Sequence, residues 1–157
     1  MPTHSLNALF NPASVALIGA SERPGSLGAA LTRNLLAGGF NGELFLLSRR
    51  HPRIQDRPAF AHLADLPHPP DLAIIAAPLP TVPNLLIELG RLGTPVAVIV
   101  SDHGLVGVAA RQSLHTLREL AHTHNVRLLG PDSFGVITPR YGLNASLSHL
   151  LPWPGQL

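Results

Sequence analysis

The chain has 157 residues, 45% hydrophobic and 13% charged, a balance for one globular domain with a single sizeable core rather than a disordered segment. It has no cysteine, which excludes disulfides and thiolate metal sites, and its eleven basic residues are all arginine, which excludes lysine chemistry. A net charge of only +2 is not the footprint of a general nucleic-acid binder; with no apolar run near ~20 residues and no basic leader in Met1 to Phe10, a soluble cytoplasmic protein that meets no membrane is expected.

Leu6 to Pro12 reads as a short lead-in, with Leu9 and Phe10 capping the core. Val15 to Ile18 is an apolar run that reads as a buried strand. It breaks at Gly19 into Ala20-Ser21-Glu22-Arg23-Pro24-Gly25-Ser26-Leu27-Gly28, after which apolar positions through Leu36 recur at helical spacing. Strand, glycine loop and helix form the phosphate-binding unit of doubly wound α/β proteins. The first turn of a helix has N–H groups without intrahelical partners, and glycines let a phosphate approach them. The spacing from Gly19 to Gly25 to Gly28 is longer than the dinucleotide pattern G-x-G-x-x-G, and Ser21 and Ser26 add hydroxyl donors to the loop. A tight turn with no ligand fits the same glycines.

The helix stops at Gly38-Gly39, and Asn41-Gly42 turns the chain into a second strand, Glu43 to Leu47. An NAD-binding fold places a carboxylate at the end of this strand. Here the chain reads Ser48-Arg49-Arg50-His51-Pro52-Arg53, with Arg57 soon after and no carboxylate before Asp56. Arginines there attract a phosphate on a ribose, so the implied ligand is NADP or coenzyme A; a solvated basic loop is the alternative.

Ala59 to Leu66 reads as a short helix or turn. Asp71 to Ala77 is the third strand, and its exit loop carries Pro78 and Pro80. Thr81 is placed to cap a helix through Leu85, Leu86, Leu89 and Leu92 that closes at Gly93. Pro95 to Val100 is the fourth strand, with Ser101-Asp102-His103-Gly104 at its tip. A helix over about Ala109 to His124 puts Leu114, Leu117 and Ala121 inward and Arg111, His115, Arg118 and His122 on a solvated face; His122 and His124 diverge on it, so no metal is expected there. Val126 to Leu129 is the fifth strand. The uninterrupted apolar runs fit a parallel five-stranded sheet covered on both faces. The tail from Leu143, with Pro152-Trp153-Pro154-Gly155, reads as a linker; the domain is set at residues 1–150, with 151–157 as the start of a linker to an absent domain.

Together these segments resemble the N-terminal CoA-binding domain of NDP-forming acyl-CoA synthetases, relatives of the succinyl-CoA synthetase α subunit. The resemblance rests on Asn11 to Ser21, Pro24 to Gly28, Asp71 to Ile75, Leu128 to Gly135 and Gly142 to Ser146. Asn34 to Gly42 and Asn125 to Gly130 look like a narrower branch, the bacterial protein lysine acetyltransferases that join a synthetase-like region to a GNAT domain.

The resemblance implies a Rossmann-like doubly wound α/β fold that binds CoA or acyl-CoA, with Ser21 and Gly25 to Gly28 on the CoA phosphates. Ser48, Arg49 and Arg50 fall where the family has Asn-Pro-Lys near the ribose phosphate, and Pro78, Ser101 and Asp102 match loops beside the pantetheine arm. The full cofactor-binding set is Gly19, Ser21, Arg23, Gly25, Ser26, Leu27, Gly28, Ser48, Arg49, Arg50, Pro78, Ser101 and Asp102. No histidine matches the family's phosphorylated one, which lies in the following domain, and His103 reads as an exposed loop residue. The expected partners are CoA and the other domains of a longer chain. The fragment alone should bind without catalysing, while the parent is expected to be an acid–thiol ligase or an acetyltransferase. The rival reading is a small NADP-dependent oxidoreductase domain. Against it stand the stretched glycine spacing and the presence of a single tyrosine, Tyr141.

Overall fold

A computed structural model describes residues 2–102, 104 and 106–155, with the side chains of residues 2–4 excepted. The five expected strands all form: β1 (Ser14–Ile18), β2 (Glu43–Leu47), β5 (Leu72–Ile75), β6 (Val96–Ile99) and β7 (Arg127–Leu129). Two short strands missing from the expected set, β3 (Arg53–Ile54) and β4 (Arg57–Phe60), extend the sheet, which has seven strands in the order β3-β4-β2-β1-β5-β6-β7. All neighbours are parallel except β3 and β4. A hairpin of β8 (Gly135–Thr138) and β9 (Leu143–Ser146) forms a second sheet. The chain leaves β1 toward β2 on one side and later returns to β5 on the other, so the order reverses beside β1. Ligands of doubly wound folds sit at that reversal, outside the carboxyl ends of the strands.

Both faces of the main sheet are buried, which is why its strands read as continuous apolar runs. Val15, Leu17, Leu72, Ile74, Val96 and Val98 point to one side and pack with α1 (Pro2–Phe10), α2 (Leu27–Ala37) and the β8–β9 hairpin. Ala16, Ile18, Ala73, Ile75, Ala97 and Ile99 point to the other and pack with α3 (Val82–Leu92) and α4 (Gly107–Thr123). Leu31 and Leu35 anchor α2, while Val82, Leu86 and Leu89 anchor α3. Truncating any of these leucines to alanine removes about 2–5 kcal/mol of stability.

Several expectations need correction. The lead-in is a helix, and Phe10, expected to cap the core, is 49% exposed while Leu9 is buried. Ala59 and Phe60 belong to β4 rather than to a helix; the 3-10 turn begins at Leu63. Thr81 starts α3 without a side-chain cap, because its hydroxyl donates to the Pro78 carbonyl instead. The tail from Leu143 opens with a core strand, in which Leu143 and Ala145 are fully buried, so a linker can start only beyond Ser146. The outward face of α4 stands as expected, with Arg111, His115, Arg118 and His122 exposed.

Candidate functional site

The site begins where β1 ends. Ile18 lies level with Leu47 on one side and Ile75 on the other, and Ile75 lies level with Ile99. Gly19, Ser48, Pro78, Ser101 and Asp102 come after those four strand ends within three residues, so all lie along one carboxyl edge. Gly19 and Ala20 both donate their N–H to the Leu47 carbonyl, at 3.1 and 3.0 Å, which holds the start of the glycine loop against the end of β2.

Two glycines here are required by space. Gly19 takes a φ of +94°, and a Cβ on it would lie 3.0 Å from the Ala76 carbonyl carbon. A Cβ on Gly28 would fall inside the Gly19 carbonyl oxygen. The first turn of α2 therefore abuts the strand end directly, and its amides stand at the sheet edge.

The loop between them is held by its own serines. Ser21 Oγ accepts the Arg23 N–H at 3.0 Å. Ser26 Oγ donates to the Arg23 carbonyl at 2.8 Å and accepts the Ala29 N–H at 3.2 Å, capping α2. The Ser26 hydroxyl thus donates within the loop and caps the helix at once. The first intrahelical bond runs from Ala30 to Ser26, and the Leu27 and Gly28 amides precede it.

The basic segment after β2 is held at its start by Ser48. The Ser48 N–H donates to the Phe60 carbonyl at 2.9 Å, and Ser48 Oγ accepts the His51 N–H at 3.3 Å. Arg53 and Arg57 belong to the β3–β4 hairpin, whose turn residues Gln55 and Asp56 take φ of 46° and 60°. The Arg53 guanidinium donates to the Asp56 carbonyl, and the Gln55 N–H to the Glu22 carboxylate. That last bond ties the hairpin to the glycine loop. Arg49 and Arg50 remain exposed.

A cleft of about 640 Å³ opens beside the start of α2. Of the expected set, Gly25, Ser26 and Leu27 line it. Arg33, Gln55, Leu147 and His149 line it too, and sequence reasoning missed all four. Gly19, Ser21, Arg23, Gly28, Ser48, Arg49, Arg50, Pro78, Ser101 and Asp102 lie outside its lining, along the same edge. Ser101 is 5% exposed, and its Oγ has no partner among the described residues. An orphaned buried hydroxyl costs about 1–3 kcal/mol, so a polar ligand group arriving there would be favoured. The Asp102 carboxylate accepts the Gly104 N–H and shapes the tip of β6. His103 lies outside the described residues. Among the described residues no group of three or more His, Asp or Glu is arranged to hold a metal.

Among the described residues, the titratable group displaced from its ordinary value lies away from this edge. His68 is raised above its ordinary 6.5, first by its hydrogen bond to the Pro69 carbonyl and then by Glu43. Nδ1 lies 3.0 Å from the carbonyl and Nε2 lies 3.2 Å from the Glu43 carboxylate. Both partners only accept, so both ring nitrogens donate when the ring is cationic.

The chain is similar to known proteins. Residues 13–139 match the family described as the CoA binding domain. The chain is 35% identical to the α subunit of an ADP-forming acetate–CoA ligase I of Pyrococcus furiosus, over 98% of this chain and 34% of that subunit. It is 31% identical to the ADP-forming acetate–CoA ligase of Methanocaldococcus jannaschii, over 97% of this chain and 21% of that protein. The dinucleotide-forming acetyl-coenzyme A synthetase 1 of Ca. Korarchaeum cryptofilum, solved with phosphate and ADP, superimposes with a TM-score of 0.85 at 30% identity. That match covers 92% of this chain and 31% of that one. The chain thus spans about a third of these relatives at most. They favour the ligase side of the resemblance; the acetyltransferase branch and the oxidoreductase alternative gain no support from them.

Proposed function

This chain belongs to the CoA-binding domain family, and from that premise we propose that it seats CoA or an acyl-CoA for a longer ADP-forming acid–thiol ligase. Residues 1–150 would form the binding domain, with 151–157 leading toward a further domain, in a cytoplasmic enzyme. The amides at Gly25 to Gly28 and the positive end of α2 would take the pyrophosphate. Arg49 and Arg50 would take the ribose 3′-phosphate, and Ser48 would hold their turn. Pro78, Ser101 and Asp102 would border the pantetheine arm, where the free Ser101 hydroxyl can bond an amide. Bound CoA brings the thiol that carries the acyl group; the residues of this chain bind and orient it.

The observation that carries this reading is the close contact of Gly28 with Gly19, which brings a helix N-terminus to the point where the strand order reverses. Calorimetric titration of the chain tests it. CoA should bind, dephospho-CoA more weakly, and NADPH hardly at all. Equal affinity for CoA and dephospho-CoA would remove the role given to Arg49 and Arg50, and a preference for NADPH would overturn the reading.

A further inference from the structure

Asn34 lies on α2 and is 5% exposed. Its Nδ2 donates to the Ser146 carbonyl at 2.7 Å and to the Ser148 carbonyl at 2.8 Å. Its Oδ1 accepts from Arg33 Nε at 3.4 Å. The acceptors are main-chain carbonyls, which fixes the amide orientation: only the NH₂ group can serve both. The end of β9 and the segment after it are therefore fastened to α2 at two alternate residues. Between and beyond them, Leu147 and His149 line the cleft together with Glu22, Gly25, Ser26 and Leu27. Arg33, held by the same carboxamide, lines the cleft as well. Arg33 is exposed and shares the cleft lining with Ser26, Leu27, Ala29 and Ala30 at the start of α2.

We propose that Asn34 is a positioning residue that sets the second wall of the CoA cleft, placing His149 and Arg33 to contact the bound pyrophosphate. The inference rests on the CoA reading above and assigns residues beyond it. The imidazole N–H of His149 and the guanidinium of Arg33 are donors that suit phosphate oxygens, while Leu147 supplies an apolar flank. The two phosphate sites are thereby divided. Arg49 and Arg50 serve the 3′-phosphate, which dephospho-CoA lacks; Arg33 and His149 serve the pyrophosphate, which both ligands carry.

The test titrates the 157-residue chain with CoA and with dephospho-CoA. Arg33→Ala and His149→Ala change exposed residues and should leave the unfolding midpoint in place. Each should weaken both ligands equally, by about threefold to fivefold, as expected for a partly solvated charged contact. Asn34→Asp keeps the shape but loses both donors, and should weaken both ligands at least as much. Adding His149→Ala to Asn34→Asp should then cost nothing more, because the tail is already released. A merely structural Asn34 would instead give additive losses, which would overturn the proposal. Losses confined to CoA would overturn the pyrophosphate assignment. Unchanged affinities in a chain whose wild type binds CoA would sink this inference alone, whereas a wild type that ignores CoA would sink the CoA reading and this inference with it.

Discussion

α2 and α4 both begin at the carboxyl edge of the main sheet, yet Ser26 caps α2 through its Oγ while Val106, at the start of α4, is 85% exposed and offers no side-chain cap. At α2 the glycines are clamped: Gly28 meets Gly19, and Gly19 meets Ala76. At α4 the glycines are loose: Gly104 and Gly107 take positive φ with nothing within 4 Å of an added Cβ. Helix dipoles are similar at both ends. What differs is whether the first-turn amides are held against a fixed strand end, and that difference is the ground for proposing the phosphate site at α2.

The largest expected effect breaks the clamp. Gly28→Ala should destabilise the fold by about 2–3 kcal/mol in urea unfolding, because the new methyl has no room, although alanine ordinarily gains a helix about 1 kcal/mol over glycine. Gly107→Ala should cost only the left-handed backbone penalty, about 1–2 kcal/mol. A Gly28→Ala chain as stable as wild type would show that the clamp is absent.

Next comes the charge beside the clamp. Replacing Arg49 and Arg50 with alanine should weaken CoA binding by about 1–3 kcal/mol and leave dephospho-CoA unchanged in calorimetry. Replacing Arg111 and Arg118 on the outer face of α4 should change neither.

Smaller again is the cap. Ser26→Ala should lower stability by about 1 kcal/mol. Thr81→Ala, whose hydroxyl makes no helix cap, should cost clearly less by the same unfolding assay.

The smallest effect lies at the opposite edge of the sheet. His68 is raised in the fold, so the cationic ring favours the folded state. Its contribution is fully present below the ordinary 6.5 and is lost as pH rises through the folded value. Wild type should therefore gain slightly on His68→Gln in unfolding midpoint at about pH 5.5 relative to about pH 8.5, with CoA affinity untouched.

The same contrast explains what could be read from sequence. The five parallel strands were legible because both faces are buried, leaving unbroken apolar runs such as Leu72 to Ile75. The glycine loop was legible because Gly and Ser mark a tight turn. The β3–β4 hairpin was not, because its turn uses Gln55 and Asp56 at positive φ where Asn-Gly is the usual signal. β9 was hidden because two of its four residues, Asn144 and Ser146, are polar yet buried. The second wall of the cleft was invisible for a different reason. It depends on Asn34 reaching Ser146, 112 residues away, and no local pattern carries such a contact.

Backbone amide NMR of the chain with and without CoA tests the central claim most directly. The account predicts the largest shifts at Gly25, Ser26, Leu27 and Gly28, saturating with the calorimetric affinity. Shifts concentrated instead at Gly104 to Val108, with the α2 amides unmoved, would contradict it.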